Sequence, residues 1–427
     1  MRSIAVVTGV KQKTISRWEK AFAVAGLLLS TGALFPLLRE DCGAAFNPVQ
    51  GDIIMQGLWS VIYLVTVLLL FVRFRQVVSI AFKDKLLWLL VGLALVSVIW
   101  SDAPGLTLRR SVALLGTTLF GIYLTSRYSM QELLKLLIWT LGLSAVLSLS
   151  FALLLPSLGI HHNIPHFGAW RGIYINKNVL GRLMALAVLV WLMYAHSNPE
   201  RRMSRLVFLG LSAEIMFLST SKTALAVFFV LLFVFLIYLY RTGSRRNILP
   251  VLLIILVAGS SGFMLANNLN PAATIPLHHT GLDTTLSGRT QLWQLVWDMI
   301  QQRPWFGYGY SAFWLNWTGP SGYIWNVIGW NPPDAHNFYL DMWLQLGLMG
   351  LVILALSISR NFLEAIAMAR RKNGLNGMFL LLLLTSIIMY GITDSSILIQ
   401  NSIYWILYVV ISLRLRTKHG EGEGEKA

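Results

Sequence analysis

Apolar residues along the chain are gathered into long blocks, at 21–38, 53–72, 86–99, 178–195, 224–240 and 377–389. Within them neither strict alternation nor one-faced helical spacing separates apolar from polar positions. A block that is hydrophobic all round has no side to turn to water. One helical crossing of a bilayer core takes about 20 apolar residues, so the pattern predicts an all-α polytopic membrane protein with about 12 transmembrane helices. The chain is 56% hydrophobic and 12% charged, about half the ~25% charged share of a soluble domain. That balance excludes a water-soluble globular protein. The basic N-terminus runs straight into the first apolar block with no convincing small-residue cleavage site, so the block is read as a retained span.

Charge orients these spans. Most of the 34 Lys and Arg residues fall in 1–20, 73–85, 127–135, 197–205, 241–247, 359–376 and 414–427, which the positive-inside rule makes cytoplasmic. The formal charge of +16 is therefore a topology signal and a surface for anionic lipid, and nucleic acid is not an expected partner. The resulting organisation is a cytoplasmic N-terminus at 1–20, transmembrane helices 1–9 within 21–266, a large outer loop at 267–335, transmembrane helices 10–12 within 336–413, and a disordered cytoplasmic tail at 414–427. No internal repeat is evident. Cys42 is the sole cysteine, which excludes an intrachain disulfide and a cysteine-based metal or redox centre.

The basic residues that break the rule are more informative. Arg39, Arg109, Arg110, Arg171, Lys177, Arg182, Lys222, Arg289 and Arg303 all fall in or beside outer loops. Lys222 sits in Ser219-Thr220-Ser221-Lys222-Thr223 between two spans, where a cation so close to hydrocarbon is costly unless paired or used. Glu214, two helical turns earlier, is the competing structural partner. The long loop contains Ser287-Gly288-Arg289 ahead of Leu292, Trp293, Val296, Met299 and Ile300 at helical spacing, predicting an amphipathic helix lying on the membrane, with Ser287 as its cap. Arg289 then occupies the first turn, where the helix dipole disfavours a cation; free N–H groups and a guanidinium fork together suit a phosphate. Contact with lipid headgroups is the plainer reading. The loop's many aromatics fit an interfacial belt or a sugar-stacking surface.

Asn331-Pro332-Pro333-Asp334-Ala335-His336-Asn337 opens the next span. Asp334 is expected to cap the helix and His336 to fall in its first turn, where the dipole favours a neutral imidazole and Asp334 opposes it, a balance suited to a general base. The outer loops lack tight carboxylate pairs for a divalent metal, and H-E-x-x-H, Walker and G-x-S-x-G patterns are absent. Departure of a pyrophosphate would then rest on cationic side chains and oriented amides.

In order along the chain stand W-S-x-x-P followed by Arg109 and Arg110, R-G-x-x-x-N-K-N-x-x-G from Arg171 through Lys177 and Asn178, S-x-S-K-T with Lys222, S-G-R-x-x-x-W with Ser287, Gly288 and Arg289, P-x-x-G-x-G from Pro304, and H-N-x-Y-L-x-x-W-x-x-x-G-x-x-G from His336 and Asn337. Over roughly residues 95 to 355 this series resembles the O-antigen ligase and polysaccharide polymerase superfamily, in particular its exopolysaccharide-production branch. The resemblance implies a bacterial inner-membrane enzyme whose outer loop is periplasmic. It would transfer a glycan from an undecaprenyl-pyrophosphate-linked oligosaccharide donor to a glycan acceptor, among membrane lipid and beside a chain-length regulator, with no metal or other cofactor. It further implies His336 as the base, with Arg289 and Lys222 on the pyrophosphate, and Arg109, Arg110, Arg171 and Lys177 with Asn178, Ser287, Gly288 and Asn337 binding substrate. Lysine at 222, where ligases carry arginine, keeps the charge but lacks the bidentate fork. With the N-K-N element, this tilts the reading toward repeat-unit polymerisation over ligation to lipid A core. A flippase or transporter of lipid-linked sugars would show deep charges and repeat symmetry.

Overall fold

The computed structural model describes residues 15–33, 52–162, 166–197, 202–242, 259, 289–315, 317, 319–371, 374–395 and 397–417. Ser287, Gly288 and much of the 267–335 loop lie outside this set. Among the described residues the regular structure is helical, and the only β geometry is one antiparallel bridge between Ile160 and Trp170. The helices of eight residues or more are α1 (Arg17–Ser30), α2 (Ile53–Phe71), α3 (Phe74–Ala81), α4 (Lys85–Val96), α5 (Pro104–Arg127), α6 (Met130–Leu154), α7 (Lys177–Ser197), α8 (Arg202–Leu218), α9 (Lys222–Arg241), α10 (Arg289–Gln302), α11 (Pro320–Ile328), α12 (Phe338–Ala369), α13 (Leu375–Gly391) and α14 (Ile403–Thr417).

Their starts follow capping chemistry. Asp52, Asp84 and Ser221 accept first-turn N–H groups of α2, α4 and α9, and Ser129 with Glu132 makes a reciprocal box at α6. Among the described residues five helices, α2, α6, α7, α9 and α12, are long and apolar enough to cross a membrane. The chain is thus a multi-pass membrane protein. Two layers of exposure separate them. In α14 every residue from Tyr404 to Ile411 is at most 2% exposed, and α7 is enclosed by α6, α8 and α9. In contrast, α2 turns Ile53, Val61, Leu64 and Phe71 outward, a surface that only hydrocarbon accommodates.

A break in α12 organises the functional end. Gly347 has φ 68° and ψ −173°, which interrupts the helical ladder. The freed groups are taken up by the loop after α10: Leu348 N–H donates to the Pro304 carbonyl (2.8 Å), while Tyr308 and Gly309 N–H donate to the Leu344 and Gln345 carbonyls (2.9 Å each). A Cβ on Gly347 would stand 2.0 Å from the Trp305 carbonyl oxygen, so the approach is open to glycine alone. The segment before α5 docks on the same loop. Trp100 donates through its indole to the Phe306 carbonyl (3.0 Å), Asp102 N–H to the Tyr308 carbonyl (3.2 Å), and Thr107 Oγ1 to the Tyr310 carbonyl (2.9 Å).

The structure corrects one expectation here. Helix α10 forms with its apolar face as spaced, but Leu292, Val296 and Ile300 are at most 1% exposed, packed with Tyr308, Phe313, Trp325 and Leu344. That face meets α11 and α12 and not the membrane surface, because the aromatic loop supplies a partner that an isolated amphipathic helix lacks.

Candidate active site

His336 sits just ahead of α12, and its surroundings fix it from three sides. Asn337, not Asp334, caps the helix, accepting from the N–H groups of Tyr339 (3.0 Å) and Leu340 (3.3 Å). His336 is therefore outside the first turn, in a left-handed conformation with φ 48°. The sequence expectation fails because Asp334 is engaged by the His336 N–H, leaving the first-turn N–H groups to Asn337 three positions later. Asp334 instead serves the histidine. Its Oδ1 accepts the His336 backbone N–H (2.7 Å) and lies 3.3 Å from ring Nδ1. The Trp330 ring stacks on the imidazole at 6.1 Å between centroids.

With the Nδ1 side given to a carboxylate, the neutral ring presents Nε2 as an acceptor, the tautomer a general base needs. Partial burial raises the Asp334 carboxyl above its ordinary pKa, and the nearby Asp394 adds to the rise, while the His336 charge and its N–H oppose it. The loop carrying this pair is pinned from beneath. Asp341, 2% exposed, accepts the Ala335 N–H on both oxygens (3.2 and 3.1 Å), the Trp314 indole N–H (2.8 Å) and the Ser395 hydroxyl. The Trp293 and Trp325 indoles donate to the Ala335 (2.9 Å) and Pro332 (3.2 Å) carbonyls.

Arg289 opens α10 within electrostatic reach of Asp394 and Asp334; burial works against its charge and those two carboxylates support it. Asp394 in turn pairs with Arg182 of α7, whose guanidinium lies 4.8 Å from the Tyr404 ring centroid. Arg289 and His336 therefore share Asp334 as a common neighbour. The structure brings together these two sequence candidates and adds Asp334, Asp394, Arg182 and Asp341 around them.

A second group gathers one turn away along α7. Asn176 caps that helix, accepting from Asn178 and Val179 N–H (3.0 Å each). Lys177 Nζ donates to Thr220 Oγ1 (3.3 Å), and Asn178 Oδ1 accepts from the Ser221 hydroxyl (3.0 Å). Lys222, exposed in the first turn of α9, is close enough for its charge to act on Lys177. A Cβ on Gly181 would meet Ser219 and Ser221 at 2.6 and 2.8 Å, so the N-K-N-x-x-G and S-x-S segments are complementary faces of one junction. Arg182 is five residues beyond Lys177, a rise of about 7.5 Å, and so links the lysine turn to the Asp394 cluster.

The remaining candidates are distributed differently. Arg110 donates to the Ser311 carbonyl (3.1 Å) and lines a cavity of 580 Å³ that also reaches Asp334 and Ile175. Arg109 is exposed one position earlier. Arg171 turns away to the Leu158 (2.8 Å) and Ser157 (3.4 Å) carbonyls. Asn337 is occupied as a cap. No local sequence signal marks Asp341 or Asp394; only their position after folding does.

Residues 206–355 match the sequence model of the O-antigen ligase family, and this stretch carries a domain of that family. It holds Lys222, Arg289 and His336. Across a wider span the chain is 25% identical over 283 residues to the exopolysaccharide production protein ExoQ of Rhizobium meliloti (strain 1021). That alignment covers 63% of this chain and 62% of the relative.

Proposed function

We infer that this protein transfers a glycan from an undecaprenyl-pyrophosphate-linked oligosaccharide to a sugar hydroxyl, on the periplasmic side of the bacterial inner membrane. The observation that carries the reading is the His336–Asp334 pair within electrostatic reach of Arg289. His336 Nε2 takes the proton of the acceptor hydroxyl, and the oxygen attacks the anomeric carbon of the donor. The bond from that carbon to the phosphate oxygen breaks, and the bonding electrons leave with the pyrophosphate. Arg289 and Lys177, from partly buried positions, and Lys222, from the exposed first turn of α9, receive the added negative charge, which lowers the barrier without a metal. Asp334 holds the ring and supports the imidazolium that forms. Likeness to an exopolysaccharide production protein supports repeat-unit polymerisation over ligation to lipid A core.

Full-length protein in nanodiscs, given carrier-linked oligosaccharide in the presence of chelator, is expected to make a ladder of longer saccharides. His336→Ala should lose at least about 100-fold in turnover, the usual scale for a general base, while remaining folded and able to bind the carrier. Wild-type turnover in that variant, or loss of turnover on chelation, would overturn the mechanism.

A further inference from the structure

The 580 Å³ cavity beside Asp334 lies within the roughly 300–1,000 Å³ range of small-molecule sites. Its wall combines flat apolar surface with fixed amides. Trp314 and Trp325 are each locked by an indole hydrogen bond, to Asp341 and to the Pro332 carbonyl, so their rings are presented without loss of side-chain entropy. Gln345 accepts the Ser311 N–H (2.8 Å), and Gln400 holds the Tyr310 hydroxyl (3.0 Å). Each amide spends one end on the protein and keeps the other for the cavity. Arg110 closes one side, and Asp334, whose carboxylate also engages His336, forms another.

Aromatic faces with hydrogen-bonding amides between them suit a sugar, whose C–H face stacks and whose hydroxyl edge pairs. An acyl chain would leave the amide N–H groups of Gln345 and Gln400 without a partner, which opposes its binding. Lys177, Lys222 and Arg289 do not line the cavity, so a pyrophosphate held by them leaves it vacant. We propose that this cavity is a saccharide subsite, which seats a short segment of one of the two glycans and aligns it with His336. The proposal deepens the glycan-transfer reading and rests on it for the identity of the sugar.

The test uses full-length protein in nanodiscs and, as probe, the lipid-free oligosaccharide repeat unit released from the host's own exopolysaccharide. Wild type is expected to bind the probe by saturation-transfer NMR and calorimetry, and the double variant Gln345→Leu, Gln400→Met to bind it at least tenfold more weakly. Trp325→Leu, a second route to the same wall, should weaken binding as well, with the melting temperature recording that each variant is folded. His336→Ala should bind the probe within twofold of wild type. In transfer assays the double variant should raise KM for one glycan: acceptor alone if the cavity seats the acceptor, donor alone if it seats the donor, and either result supports the subsite. Probe binding and both KM values unchanged in the folded variants, or a cavity that takes a spin-labelled acyl chain and not the probe, would overturn it. Binding without any transfer would leave the subsite standing and remove the enzymatic reading; transfer indifferent to these variants would do the reverse.

Discussion

Asp341 is the most testable link between packing and chemistry in this protein. Its carboxyl touches neither the imidazole nor the cavity's cation; it holds Ala335, and through Ala335 the left-handed turn at His336. A non-glycine residue in that conformation costs about 1–2 kcal/mol, so the turn persists only while something holds it. Replacing Asp341 by Leu keeps the branched shape and strands two N–H donors, from Ala335 and Trp314, that cannot reverse their polarity. At about 1–3 kcal/mol per stranded buried donor, the fold should lose roughly 2–6 kcal/mol.

Asp341→Asn behaves differently. Its remaining oxygen can keep both N–H groups at the Oδ1 position, and Ser395 can rotate its hydroxyl to accept from the new amide. The Asn variant should therefore lose only about 1 kcal/mol, the strength added by a charged acceptor. Releasing 1–2 kcal/mol of strain corresponds to a fall of roughly 5–30-fold in the population of the productive turn. In Asp341→Leu, kcat per folded molecule should drop by that factor, with any change in KM confined to the glycan seated against the Trp314 wall, while Asn stays within a few-fold of wild type. Leu and Asn variants with equal kcat per folded molecule, folding being checked by thermal melting in nanodiscs, would refute the tether.

Two further outcomes follow from the same structure. Burial, then the charges of Arg171, His166, Lys177 and His162, press the His161 pKa from 6.5 down to about 4, and its Nε2 accepts the Lys177 N–H (3.2 Å). Between those two pH values the unfolded chain binds a proton that the folded chain refuses, so stability is full above about pH 6.5 and falls as the pH drops toward 4. The loss is about 1–3 kcal/mol after allowing for solvent at this half-buried ring. His161→Gln should flatten the melting-temperature profile over that interval, and an unchanged slope would contradict the assignment. Gly347→Ala places a Cβ against the Trp305 carbonyl at a backbone geometry only glycine holds, and should abolish folded protein in detergent extracts. Gly92→Ala in α4, where a Cβ meets open space, should be neutral; equal yields of the two would refute the argument.

The apolar blocks at 53–72, 178–195, 224–240 and 377–389 emerge as α2, α7, α9 and α13 within a few residues, because a run that is hydrophobic all round admits little besides a helix in or against hydrocarbon. The helix at 289–302 was legible for a different reason, its one-faced periodicity, but its partner was not: spacing identifies an apolar face and says nothing of what covers it. Arg289 and His336 stood out as polar groups in costly places. Asp334 was visible as a neighbour and given the wrong role, since its carboxylate is engaged by the His336 N–H while Asn337 accepts the first-turn N–H groups. Arg182, Asp341 and Asp394 were illegible as a group. The Arg182–Asp394 pair joins residues more than 200 positions apart, and nothing local to either one records it.

The glycine motifs show how these distant parts are made to agree. Interrupting α12 at Gly347 frees backbone groups whose exposure to a dry interior costs several kcal/mol, and the Pro304–Gly309 loop accepts that role by donating and receiving in register. Once seated there, the loop has no freedom to place Tyr310 and Ser311 elsewhere. Tyr310 then holds Gln400, while Ser311 engages both Gln345 and Arg110. The first half of α12 starts directly after His336 and ends at the same break. One interrupted helix thus fixes the candidate base at its start and the cavity wall at its end, so the distance between the two is set by two and a half turns of helix. Shortening that half-helix by one residue would rotate Gln345 about 100° relative to His336 and carry its amide off the cavity wall, so probe binding and transfer should fall together; probe binding at the wild-type level in that folded deletion would refute the coupling.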